Sequence, residues 1–159
     1  MKISRQIVFC CLMILLIMFF SGCRKTLEYE SIANHINVAE NSKYGLIDMK
    51  FDLLDGKDTR TFQTKAGITY EFNYNIDMQS GDIRVMFTDS NDNIIEDIGW
   101  FSEHKKAFVE EHKKAFEEEN KWQVNLNGIG GIKKVKSIDD KIKVVIEGKD
   151  AQGYIKISW

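Results

Sequence analysis

The chain has 159 residues, with 22 basic against 24 acidic side chains and a formal net charge of −2. That length suits one domain of ordinary size, and a balance tipped towards acid argues against a nucleic-acid binder built on a basic surface. The cysteines are Cys10, Cys11 and Cys23, all near the N-terminus, so the rest of the chain has neither a disulfide nor thiol chemistry.

Met1 to Gln6 carries Lys2 and Arg5 and no acid, and Ile7 to Phe20 is uncharged throughout. Those 14 residues fall short of a spanning helix, which needs about 20. A basic start, a short apolar run and small residues before a cleavage point predict a secretory signal peptide over 1–22. The segment Phe20-Ser21-Gly22-Cys23 resembles the bacterial lipobox, with Phe20 where Leu is usual. The resemblance implies cleavage between Gly22 and Cys23 and a diacylglyceryl thioether on Cys23. It places the protein on the extracytoplasmic face of a bacterial membrane, as a lipid-anchored, palmitate-bearing lipoprotein. Two acyl chains are what stable anchoring requires.

Residues 23–43 are polar and weakly patterned. They read as a tether, with a short helix or strand near Ile32 to Val38. Arg24 and Lys25 are placed to meet anionic headgroups.

A period of two begins at Leu46. Ile47, Met49, Phe51 and Leu53 alternate with polar residues, and Asp55-Gly56 reads as a turn. A shorter strand follows at Thr59 to Thr64, with Phe62 inward, and Lys65-Ala66-Gly67 turns the chain. Ile68, Tyr70, Phe72, Tyr74 and Ile76 then share one face. Gln79-Ser80-Gly81 reads as another turn, Ile83, Val85 and Phe87 as the next inward set, and Ser90 to Asn93 as a hairpin loop before a strand at Ile94 to Ile98.

The rhythm breaks at Trp100. EHKKAFVE (103–110) is followed by EHKKAFEE (111–118), a near-exact tandem repeat. No Gly, Pro, Asn or Asp interrupts Ser102 to Glu119. Phe101, Phe108, Ala115 and Trp122 recur at helical spacing, Lys106 to Glu110 and Lys113 to Glu117 are i,i+4 pairs, and Ser102 can cap. An amphipathic helix is therefore expected over about 102–121.

Beyond it, Trp122, Val124 and Leu126 alternate, Asn127 to Gly131 reads as a flexible loop, and a short strand is expected at Ile132 to Lys136. Asp139-Asp140 turns into Lys141 to Glu147, and Gly148 to Gly153 turns that strand back into Tyr154 to Trp159. Asn127 to Trp159 holds seven lysines against four acids, giving a basic face suited to an anionic polymer or to headgroups. Turns about every ten residues predict a mainly β, antiparallel sandwich over 44–159 with one inserted helix. This rhythm of strands resembles small extracytoplasmic β-sandwiches of the jelly-roll type, a fold that does not settle function.

No catalytic or metal constellation emerges. His104 and His112 are eight residues apart, too far along a helix to share one ion easily. Asp89, Asn91 and Asn93 have the first spacings of a calcium loop, but Ile94 and Trp100 stand where Gly and Glu are needed. Gly128, Gly130 and Gly131 lack a phosphate-loop context. Tyr44, Trp100, Trp122 and Tyr154 are the candidate aromatics for a sugar-stacking surface. The expectation is a non-enzymatic binding or adaptor module of the cell envelope, without cofactor, meeting the membrane through Cys23 and an envelope glycan or protein through its surface. The alternative is an envelope enzyme or enzyme inhibitor with no recognisable motif.

Overall fold

The computed structural model describes residues 25–102, 123–125 and 128–159. These form β1 (Leu27–Ile36), β2 (Ala39–Glu40), β3 (Leu46–Gln63), β4 (Thr69–Thr88), β5 (Ile94–Ser102), β6 (Gln123–Asn125), β7 (Gly128–Lys136) and β8 (Lys141–Ser158). All pairings are antiparallel and belong to a single sheet. No helix occurs among the described residues. The helix expected from Ser102 lies outside the described residues except for Ser102 itself, which ends β5. Cys23 and its neighbours also lie outside them.

Three strands run the length of the sheet: β3 and β8 with 18 residues each and β4 with 20. A straight 18-residue strand would measure about 60 Å. Yet the rings of Tyr44 and Phe62, near opposite ends of β3, lie 6.1 Å apart, and those of Phe72 and Phe87, both on β4, lie 4.4 Å apart. The sheet is therefore folded back on itself, each long strand contributing to both layers of the sandwich. One half carries β1-β3-β8-β4-β5 and the other β2-β3-β8-β4-β7-β6.

The fold line is a row of register shifts across adjacent strands, at Phe51 to Gly56 of β3 and Met78 to Asp82 of β4. Opposite them on β8 stand Gly148 to Gly153. These are the three segments expected to be turns. Their residues supply turn chemistry, but the chain uses it to bulge and bend while remaining in the ladder. Gly81 has φ +70, and a side chain there would collide with the backbone carbonyl of Asp150. Asp150 is itself left-handed, at φ 48.

Each bulge also shifts the alternation. Inward residues run Ile47, Met49, Phe51 and then Leu54 on β3; Phe72, Tyr74, Ile76, Met78 and then Ile83, Val85, Phe87 on β4; and Ile142, Val144, Ile146 and then Ala151, Ile155, Ile157 on β8. Leu54, not the expected Leu53, thus enters the core. All of these residues belong to one hydrophobic cluster.

Three further expectations are corrected. Most of the supposed tether is β1, paired residue by residue with Leu53 to Phe62. It is an edge strand whose exposed isoleucines and acids hide its alternation. The glycine-rich loop from Gly128 is the start of β7. Gly131 faces Tyr74, where a Cβ would stand 2.7 Å from the phenol oxygen. Burial pushes the Tyr74 phenol up to about 12. Strand β5 also runs through Trp100 without a break.

Ion pairs join the two halves along both sides. On one, Arg60 reaches from β3 to Glu40 of β2 at 2.8 Å. It also pairs with the buried Asp58, touches Met49 Sδ at 3.4 Å and lies 3.9 Å beneath the Tyr29 ring. On the other side, Lys133 of β7 meets Glu96 of β5 at 2.8 Å.

Candidate functional site

The outer face of the β1-β3-β8-β4-β5 half is an ordered lattice, because its strands pair without a register shift except beside β5. One row across the strands is Trp100, Arg84, Glu147, Lys57 and Ile32. The next is Asp97, Met86, Val145, Thr59 and Glu30, and the third is Ile94, Thr88, Lys143, Thr61 and Glu28.

Outward positions are normally wet, yet Val145 is 0% exposed, Met86 7% and Thr59 9%. The three central positions of the middle row are thus the floor of a groove, between the long side chains of Arg84, Glu147 and Lys57 on one side and Lys143 on the other, while Asp97 and Glu30 at the ends of the row are exposed. At the β1 end the groove deepens into a hollow of ≈ 170 Å³ lined by Glu30, Ile32, Lys57, Thr59, Asp92 and Lys143. The hydroxyl of Thr88, beside the floor, is buried without a hydrogen-bond partner.

At the β5 end stands Trp100, 41% exposed, with the Arg84 guanidinium 5.9 Å from its ring centre. Arg84 donates two hydrogen bonds to Asp97 Oδ2, at 3.2 and 2.6 Å, and its Nη1 lies 3.9 Å from Glu147. Asp97 also accepts from the Gly99 amide at 2.7 Å. Hydrogen bonding from Arg84, with the Gly99 amide adding to it, holds the Asp97 carboxyl below the usual range, and Asp97 in turn raises Arg84. Both charges persist at neutral pH, and Asp97, at the end of the middle row, holds the bank residue Arg84 beside the indole. Such a groove offers an aromatic plate, fixed ionic hydrogen-bonding groups and a dry floor to one elongated ligand.

The candidate aromatics do not come together. Tyr44 packs at the core rim against Phe62 and Trp159, with Lys25 Nζ 5.1 Å above its ring. Tyr154 is on the outer surface of the other half, between Lys50 and Asp77. Burial and the adjacent Asp48 carboxylate push its phenol up. Trp122 lies outside the described residues. Among the described candidates, Trp100 is the one that stands in the groove. Lys57, Arg84 and Glu147 were absent from the sequence candidates, because alternation marks them as outward while only register aligns them.

Two other sites have settled chemistry. Asp89 Oδ1 accepts from the amides of Asn91 and Asn93, at 2.9 and 2.8 Å, and its Oδ2 from the Asn93 side chain at 2.9 Å. The carboxylate closes the hairpin, and no cluster suited to a metal occurs among the described residues. On β1, Ser31 Oγ lies 2.6 Å from His35 Nε2. Asp58, opposite Ser31 in register, gives one oxygen to Arg60, while its other oxygen and His35 Nδ1 are buried without partners. The three side chains therefore do not form a relay.

No protein-family model matches the chain, and no curated protein matches it. Among solved structures, a carbohydrate binding module from Cellvibrio mixtus lichenase 5A, in complex with cellotriose, is similar at TM-score 0.41 and 9% identity, over 84% of this chain and 98% of that one. A non-crystalline cellulose specific carbohydrate-binding module gives TM-score 0.42 and 8% identity, over 88% and 87%. The enzymatically active domain of a bacteriophage CBA120 tailspike gives TM-score 0.42 and 10% identity, over 88% of this chain and 19% of that one. With every TM-score below 0.5, these likenesses support no inference about ligand or activity.

Proposed function

We propose that the protein is a lipid-anchored, non-catalytic binding module of the bacterial cell envelope, taking a glycan in the groove across β1-β3-β8-β4-β5. The observation that carries this reading is the recessed floor of Met86, Val145 and Thr59, banked by alternating charges, with Trp100 at its end. A sugar presents hydroxyls to carboxylates and guanidinium groups, and C–H faces to an indole. The groove meets both demands along a line crossing five strands. The lipobox-like segment at Phe20 to Cys23 supports the anchor.

The soluble 24–159 fragment, screened against envelope glycans by calorimetry, tests the groove. Trp100→Ala should weaken binding by about 2 kcal/mol, roughly thirtyfold, while Tyr154→Ala should leave it unchanged. Equal loss in both variants, or none in Trp100→Ala, would place the ligand elsewhere. For the anchor, Cys23→Ser should abolish palmitate incorporation and leave an uncleaved precursor. Label retained in the variant would refute lipidation at Cys23.

A further inference from the structure

The absorption of the expected tether into β1 has a mechanical consequence. Lys25 and Thr26 are the only described residues before Leu27, which pairs with Phe62. Cys23 is two residues from Lys25, a reach of about 7 Å for extended chain. A lipid on Cys23 would therefore hold the domain against the bilayer, by the end from which Lys25 emerges. That is the end opposite the fold line, since Lys25 lies over Tyr44 and Tyr44 contacts Phe62 and Trp159.

This end is suited to a lipid surface. Ile68 and Ile138 project from neighbouring turns at 47% and 62% exposure. The turns are joined by hydrogen bonds from the Ser137 amide to the Ile68 carbonyl, 2.9 Å, and from the Gly67 amide to the Ser137 carbonyl, 2.8 Å. Lys65 and Lys136 flank these tips and form no ion pair among the described residues. The carboxylates nearby are mostly engaged. Asp139 accepts from Ser90 and from the Lys141 amide, Asp92 pairs with Lys143, and Glu28 faces Lys141. Asp140 remains exposed.

We propose that this end docks on an anionic phospholipid surface, with Ile68 and Ile138 in the headgroup layer and Lys65 and Lys136 against the phosphates. The proposal rests on lipidation at Cys23. Side chains that pair an apolar tip with a nearby ammonium suit this interface. The domain then stands with its fold line outward, and the groove is presented at a fixed height, its Lys143 row nearer the membrane and its Trp100 row farther away.

The test uses the full chain processed in bacteria and reconstituted in nanodiscs containing phosphatidylglycerol. Ile138→Cys and, at the fold line, Lys149→Cys are labelled with a fluorophore and quenched by headgroup-nitroxide lipid. Half a long strand separates the two positions by about 30 Å, so quenching at position 138 should exceed that at 149 by at least about threefold. Equal quenching, with the Cys23 peptide carrying its diacylglyceryl mass, would overturn docking while leaving the anchor intact. Absence of that mass would overturn the anchor, and the docking with it.

Discussion

The two ends of the sandwich solve the same problem, reversing the chain's direction, by different physics. At the open end the chain leaves the ladder, as at Lys65 to Ile68 and Ser90 to Asn93, and carboxylates close the loops: Asp89 on its own hairpin, Asp139 on Ser90 and Lys141. Beneath those loops the aromatic core of Phe62, Phe72, Phe87 and Trp159 closes, with Phe62 and Trp159 rings 4.5 Å apart. At the fold line the chain never leaves the ladder. Left-handed residues at Gly56, Gly81 and Asp150 bend three adjacent strands together. The same residue types thus make a turn or a bend according to whether neighbouring strands carry their irregularities at the same level.

The largest expected effect is at the open end. Phe72 is fully buried between Phe62, Phe87 and Trp159. Phe72→Ala should cost about 3–5 kcal/mol in denaturant unfolding, and a loss below about 1 kcal/mol would contradict this packing. The fold line comes next. Gly81→Ala meets both a left-handed φ and the Asp150 carbonyl, and should cost about 1–3 kcal/mol. Gly67, at the open end, has φ +82 with nothing near its absent Cβ. Gly67→Ala should cost only about 1 kcal/mol, so the difference between the two isolates the close approach at the bend.

Acidification should give the smallest effect. Hydrogen bonds from Asn93 hold Asp89 below the ordinary carboxyl value, and those from Ser90 and the Lys141 amide do the same for Asp139. Their stabilisation is present above the unfolded value, about 3.9, and is lost as pH falls through the lower folded values, because the unfolded chain binds protons first. Asp58 has the opposite sign. Burial raises it against the pull of Arg60, so its contribution is favoured by acid and declines as pH rises through the folded value. Thermal midpoints measured downwards from about pH 5 should fall less steeply in Asp139→Asn than in the parent. Parallel slopes would mean that Asp139 is not held as described.

Alternation was legible wherever one face of a strand is buried and the other wet, as from Tyr70 to Ile76. It failed on β1, where Ile32 and Ile36 are exposed on an edge strand. It also failed at Gly128 to Gly131, where a glycine makes room for Tyr74 in place of a loop. The bends at Asp55-Gly56, Gln79-Ser80-Gly81 and Gly148 to Gly153 read as turns because turn and bulge need the same backbone freedom. Of the groove, Trp100 was legible by its residue type. Arg84, Glu147 and Lys57 were not, since their alignment depends on pairing between segments far apart in the chain.

Folding of one sheet across its own long strands is open to measurement by ring-to-ring nuclear Overhauser effects in the soluble 24–159 fragment. Phe72 and Phe87 would be separated by about 50 Å in a straight strand, against ring centres 4.4 Å apart in the folded sheet. The folded sheet should give strong cross-peaks between these two rings, together with β4 pairing to β8 on both sides of Gly81. Continuous pairing without the Phe72–Phe87 cross-peak, or the cross-peak with a hairpin closing at Gly81, would contradict it.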